Sequence, residues 1–109
     1  MTEMTLREIC QALGVSRRAV QGYEKANLVS ASNKTGSGYL LYNDSTRERI
    51  QLIKLYQDMG FSIKEIKLII DASNDTKKSA LIDRKERLLD DINHAGKMIA
   101  IIQEMIDIL

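Results

Sequence analysis

The 109-residue chain has no proline and no tryptophan, a single cysteine and only six glycines. Without proline, and with so few glycines, little interrupts helix formation, and the abundance of helix-favouring residues predicts an all-α protein with minor β content. One cysteine excludes an internal disulfide and a cysteine-based zinc site, and it favours a reducing compartment. No stretch approaches 18 uninterrupted apolar residues, and the N-terminal region carries Glu3 in place of an apolar run. Neither a membrane span nor a signal peptide is expected, which points to the cytoplasm. Also missing are a paired-carboxylate pocket, a nucleophile with a neighbouring base and a phosphate-cradling glycine loop, so neither an enzyme nor a cofactor is predicted. Charge is nearly balanced, at +1 overall, which excludes a broad positive field.

What is present begins at Thr5. Leu6, Ile9, Cys10 and Leu13 recur at the spacing that places four apolar side chains on one helical face. Thr5 and Glu8 form the T-x-x-E pattern of a capping box, and Gly14 can adopt the left-handed conformation that ends a helix. A second helix is predicted to start at Ser16. Ala19, Val20 and Tyr23 fall on one side of it, while Arg17, Arg18, Gln21 and Lys25 share the other. Helix, tight turn, and a helix bearing arginine and glutamine is the layout of a helix-turn-helix whose second helix enters the major groove. Arginine can read guanine and glutamine can read adenine. Two core-packed helices with a solvated basic face would give the same pattern. Residues 1–42 carry five basic and three acidic side chains, so the small positive excess lies at this end.

Residues 30–42, SASNKTGSGYLLY, lack a helical period, and Asn33, Gly36, Ser37 and Gly38 sit between two segments able to extend. A β-hairpin wing is predicted, with Lys34 near its tip and Tyr39 and Tyr42 on the return strand. Tyr42 reads equally as a packing residue at the wing base, whereas Tyr39 is expected to be exposed. Ser45 with Glu48, and Ser62 with Glu65, make two more capping boxes. They open a helix carrying Ile50, Leu52, Ile53, Tyr56 and Met59 that stops at Gly60, and a shorter one carrying Ile63, Ile66, Ile69 and Ile70.

From Thr76 onward the period changes. Leu81, Lys85, Leu88, Ile92, Ala95, Ile99, Ile102, Ile106 and Leu109 alternate in steps of four and three, a heptad seam with one polar member. A helix of that length spans roughly 50 Å, more than the preceding residues can cover, so the seam is predicted to meet a second chain. Met98, Ile101, Met105 and Ile108 widen the apolar face near the C-terminal end. Cys10 lies on the core face of the first helix and His94 has no second imidazole or thiol nearby in sequence, so no metal site is expected.

Taken in order, ICQALGVSRRAVQGYEKANLV, GYLLY, DMGFSIKEIKLII and a long terminal helix resemble the MerR family of bacterial transcription regulators. The most specific pieces are Gly14-Val15-Ser16, Tyr23-Glu24-Lys25, Gly38-Tyr39 with Tyr42, and Gly60-Phe61-Ser62 followed by Glu65-Ile66. The resemblance implies a winged helix-turn-helix DNA-binding domain over residues 1–75 and, over 76–109, a dimerisation helix that pairs as an antiparallel coiled coil. It implies a homodimer on a pseudo-palindromic operator, bending and untwisting promoter DNA before RNA polymerase. It carries a recognition-helix role to Arg18, a place beside the phosphates to Tyr23, and wing roles to Tyr39 and Tyr42. With Ser16, Arg17, Gln21, Lys25 and Lys34 these form the candidate DNA-contacting set, and Leu81, Leu88, Ile92, Ala95, Ile99, Ile102, Ile106 and Leu109 the candidate dimerisation set.

The chain departs from the family at several places. Gln21-Gly22 stands where Arg-Tyr is usual, Leu40 where a wing arginine is usual, and the cysteines of metal- and redox-sensing relatives are absent. These departures motivate an alternative, a protein-interaction adaptor of the same fold that has lost strong DNA binding.

Overall fold

The computed structural model describes residues 3–109. In order these form β1 (Met4–Thr5), α1 (Leu6–Leu13), α2 (Arg17–Lys25), β2 (Asn33–Lys34), β3 (Leu40–Tyr42), α3 (Asp44–Asp58), α4 (Ile63–Ile69) and α5 (Asn74–Ile108). Two compact units result, one ending at Asp71 and one running from Ala72 to Leu109.

In the first unit the expected capping box closes α1. Thr5 Oγ1 accepts from the Glu8 N–H at 3.3 Å, and Glu8 Oε1 accepts from the Thr5 N–H at 3.0 Å. That backbone donor holds the Glu8 carboxyl below its ordinary value. Gly14, at φ +64°, turns the chain out of α1, and Ser16 caps α2 by accepting from the Ala19 N–H at 3.0 Å. The two helices therefore meet across a turn of three residues, 14–16.

The wing is more than a hairpin. β3 lies between β2 and β1, antiparallel to both, with Met4 opposite Tyr42 and Asn33 opposite Leu41. A two-residue strand leaves almost no periodicity to read, which is why β1 is invisible in the sequence. Asn33 belongs to β2 and not to the turn, which is built from Thr35 to Gly38: the Gly38 N–H donates to the Thr35 carbonyl at 3.0 Å, and Gly38 follows at φ +92°.

Two helix starts differ from expectation. Asn43, not Ser45, caps α3, its Oδ1 accepting from the Thr46 N–H at 2.9 Å. β3 ends at Tyr42 and Asn43 is in the extended conformation a cap requires, so the helix begins at once and Ser45 and Glu48 become ordinary, exposed residues of its first turns. At α5, Ser73 caps and Asn74 and Asp75 form the first turn, two residues ahead of Thr76. The Ser62–Glu65 box at α4 is present as expected.

The C-terminal ends of α2 and α3 share one device. After α2, Asn27 sits at φ +61° while Leu28 N–H donates to Tyr23 O and Asn27 N–H to Glu24 O, both at 3.0 Å. After α3, Gly60 sits at φ +103° while Phe61 N–H donates to Tyr56 O at 3.1 Å and Gly60 N–H to Gln57 O at 2.9 Å. Both are Schellman closures, and the apolar contact that accompanies such a closure is here the edge-on pair of Tyr56 and Phe61, centroids 5.7 Å apart.

The core of this unit gathers Ile9, Val20, Tyr23, Tyr42, Ile50, Ile53 and Ile66, all essentially inaccessible, with Val15, Leu28, Val29, Tyr56, Phe61, Ile69 and Ile70 around them. Leu52 lies on the exposed side of α3, and Cys10 is half-buried at the edge of the α1 face. Arg49 ties the periphery together, its guanidinium making two 2.8 Å bonds to Asp71 while Nε reaches the Leu28 carbonyl at 2.5 Å.

The second unit is dominated by α5, 35 residues long and about 50 Å end to end, with no buried residue. Among the described residues no helix is long and apolar enough to cross a membrane.

Replacing Gly60 by alanine puts a Cβ on a left-handed residue, and the expected loss is roughly 1–2 kcal/mol of unfolding free energy in urea titration.

Candidate nucleic-acid interface

Packing decides which side of α2 is available. Val20 and Tyr23 are sunk into the core, and the remaining circumference carries Arg17, Arg18, Gln21, Gly22 and Lys25, every one exposed. Ser16 is exposed at the start of the same helix. None of Arg17, Arg18, Lys25 or the wing residue Lys34 is engaged by a carboxylate among the described residues. A cationic helical face with its heads uncommitted can donate to phosphate oxygens or to the acceptor edges of bases.

Two buried tyrosines hold that face in position. The Tyr23 hydroxyl donates to Gln57 Oε1 at 2.6 Å, joining α2 to α3, and the Tyr42 hydroxyl donates to Glu24 Oε1, joining β3 to α2. Tyr42 has 0% of its surface exposed, which leaves nothing for a phosphate to touch; of its two readings the structure takes the packing one. Tyr23 is likewise a core residue, and its contribution is to orient its neighbours. Burial, followed by the bond to Glu24, pushes the Tyr42 hydroxyl well above the usual tyrosine range, and burial raises Tyr23 as well.

Tyr39 points the other way, 68% exposed, with Leu40 beside it. Between wing and helices lies an open cleft of about 460 Å³ lined by Thr5, Leu6, Arg7, Arg17, Gln21, Gly38, Tyr39 and Leu40. It brings together Arg17, Gln21 and Tyr39 of the expected set. Arg18 and Lys25 lie farther round α2, with Gly22 between them, and Lys34 runs along the wing with its stem 3.8 Å from the position of a Cβ on Gly38. Arg7 is the residue that the sequence reading passed over. It is the sole cation on α1 and lies on the polar side of that helix, but only the packing of α1 against α2 shows that it faces Arg17 across the cleft. No group of three or more metal-ligating side chains occurs among the described residues.

The family model for MerR helix-turn-helix regulatory proteins matches residues 4–73, and the MerR DNA-binding model matches residues 47–109. The chain belongs to the MerR family. Among MerR relatives, the transcriptional activator mta of Bacillus subtilis is 34% identical over 94 residues, which cover 86% of this chain and 37% of the activator. The chain thus spans little more than a third of that protein's length. The crystal structure of MtaN, the N-terminal part of the Bacillus subtilis multidrug transporter activator, superposes with a TM-score of 0.78 at 32% identity, over 94% of this chain and 97% of that one. A MerR regulator lacking the sensor domain, HiNmlR bound to promoter DNA, shares the fold with a TM-score of 0.72 at 17% identity, over 90% and 79% of the two chains.

The raised tyrosines set an alkaline limit. Their folded values lie above the ordinary value of 10, so the stabilisation they give is complete below that pH and is lost as pH rises beyond it. Chemical denaturation between pH 7 and 11 should show stability falling above about pH 10 in the wild type and falling less in Tyr42→Phe, which costs about 1 kcal/mol at neutral pH by removing the Glu24 bond.

Proposed function

We propose that this chain is a sequence-specific, DNA-binding transcriptional regulator that acts as a homodimer on a pseudo-palindromic operator and regulates by bending and untwisting promoter DNA where RNA polymerase binds. The observation that carries it is the uncommitted polar face of α2, Ser16, Arg17, Arg18, Gln21 and Lys25, standing beside a wing that presents Lys34 and Tyr39. Arg7 joins this set across the cleft. In a major groove, α2 supplies direct readout through Arg18 and Gln21 while Lys34 and Tyr39 meet the backbone. The modest positive excess makes affinity depend on two half-sites bound together.

The dimer rests on α5. Its seam residues Leu81, Leu88, Ile92, Ala95, Ile99, Ile102, Ile106 and Leu109 are all exposed, Ile92 and Ile99 by more than 65%. The antiparallel arrangement follows the family resemblance; charge along α5 is nearly even, with Lys77, Lys78, Arg84, Lys85 and Arg87 against Asp75, Asp83, Glu86 and Asp90 over residues 74–90, and Lys97 against Asp91, Glu104 and Asp107 over residues 91–108. Residues 1–75 then act as the DNA-binding part and 76–109 as the dimerisation helix.

Footprinting on DNA flanking the protein's own gene, across a salt series, is the decisive test. A protected pseudo-palindrome with a steep salt slope supports the regulator, and weak, unprotected binding by a dimeric protein supports the adaptor. Arg18→Ala should weaken specific binding by about 1–3 kcal/mol if Arg18 reads a base, or flatten the salt slope if it meets a phosphate; unchanged affinity and slope refute both roles. In sedimentation, Ile99→Asp should convert dimer to monomer while leaving the first unit folded, and an unshifted boundary counts against the seam.

A further inference from the structure

Gly22 lies in the middle of α2, where glycine is a poorer helix former than alanine because its unfolded backbone has more freedom to lose. Three other glycines answer to the backbone, Gly14, Gly38 and Gly60 having positive φ, whereas Gly36 and Gly96 do not. Nor does Gly22. Its φ is helical, and a Cβ built on it meets no atom of the protein within 4 Å. Nothing inside the protomer therefore calls for glycine at this position.

Its surroundings do. Arg18 precedes it by four residues and Lys25 follows by three, so both flank it on the same face. Gly22 lies in an open depression of about 580 Å³ on this face, lined also by Arg18, Gln21, Glu24 and Lys25. Glu24 turns its carboxylate to the buried Tyr42 hydroxyl, while the Arg18 and Lys25 heads have no carboxylate partner among the described residues. The result is a notch in the helix surface with a cation on either side.

We infer that Gly22 is the point at which α2 comes closest to DNA, the bare backbone admitting a sugar-phosphate segment between Arg18 and Lys25 that any side chain there displaces. The inference rests on the DNA-binding reading. It makes Gly22 a residue that positions the reading helix: with the backbone seated at the notch, the depth of Arg18 and Gln21 in the groove is set by contact with α2 itself. The helix then tolerates a weaker local propensity because the space, and not the residue, is what is used.

The experiment compares wild type, Gly22→Ala and Gly22→Leu by anisotropy on a fluorescein-labelled duplex carrying the DNA that flanks the gene, with a thermal melt of each protein. Gly22→Ala should melt about 3–6 °C higher, because its helix propensity improves, yet bind about tenfold more weakly. Gly22→Leu should lose about a hundredfold. The slope of affinity against salt should match wild type in both, since no cation has been removed. The higher melting temperature shows that the weakened binding is not unfolding. Gly22→Ala binding within about twofold of wild type overturns the notch and leaves the DNA-binding reading standing. A wild-type protein that fails to select the duplex over unrelated DNA overturns that reading and the notch with it.

Discussion

The arrangement of this protein depends on two tyrosine hydroxyls that must find acceptors inside the core. A buried phenol without a partner is costly, and Tyr23 and Tyr42 meet that demand across elements, one bonding α3 through Gln57 and the other bonding α2 through Glu24. Because Tyr23 and Glu24 are adjacent, α2 is held from two directions at one point along its length. The helix cannot roll without breaking one bond or the other. Its polar side is thereby kept outward and in register with β3, from which the wing extends. The Schellman closures at Asn27 and Gly60 act in the same sense, stopping α2 and α3 where the next segment must return to the core.

Much of this could be read from residues alone where a local rule decides the outcome. Thr5 with Glu8, Ser62 with Glu65, and Gly14 and Gly60 all signal helix ends by chemistry that acts within one turn, and the structure has them so. Local rules misled at α3, where Ser45 with Glu48 matches a capping box but Asn43, directly after β3, makes the cap two residues earlier. They were silent at β1, too short to carry a period, and at Arg7, whose place beside Arg17 is a tertiary fact. Tyr42 illustrates the remaining difficulty. An amphipathic side chain on a wing strand suits surface or core equally well, and only the presence of Glu24 within reach of its hydroxyl decides between them.

The second unit obeys a different logic. α5 buries nothing, although it carries more branched apolar side chains than any other helix described. A hydrophobic helix that its own chain does not cover is incomplete as a folding unit, whatever its intrinsic propensity. The second copy proposed above is one way to complete it.

The charges at the two ends of α5 also bear on the helix by itself. A helix is stabilised by negative groups at its N-terminal end and positive ones at its C-terminal end, and α5 is largely the reverse, with Lys77 and Lys78 just past the first turn, Asp107 in the last, and no base there to offset it. Only Asp75 and the Ser73 cap lie in the favourable sense. An isolated α5 is thus frustrated by its own macrodipole as well as by its uncovered seam. In the antiparallel pair proposed above the two dipoles oppose and the seams cover each other, so both penalties fall together. Under that proposal the helical order of this segment depends on how many copies of the chain are present, and abundance itself becomes a control on whether two copies of the first unit are held at a fixed spacing.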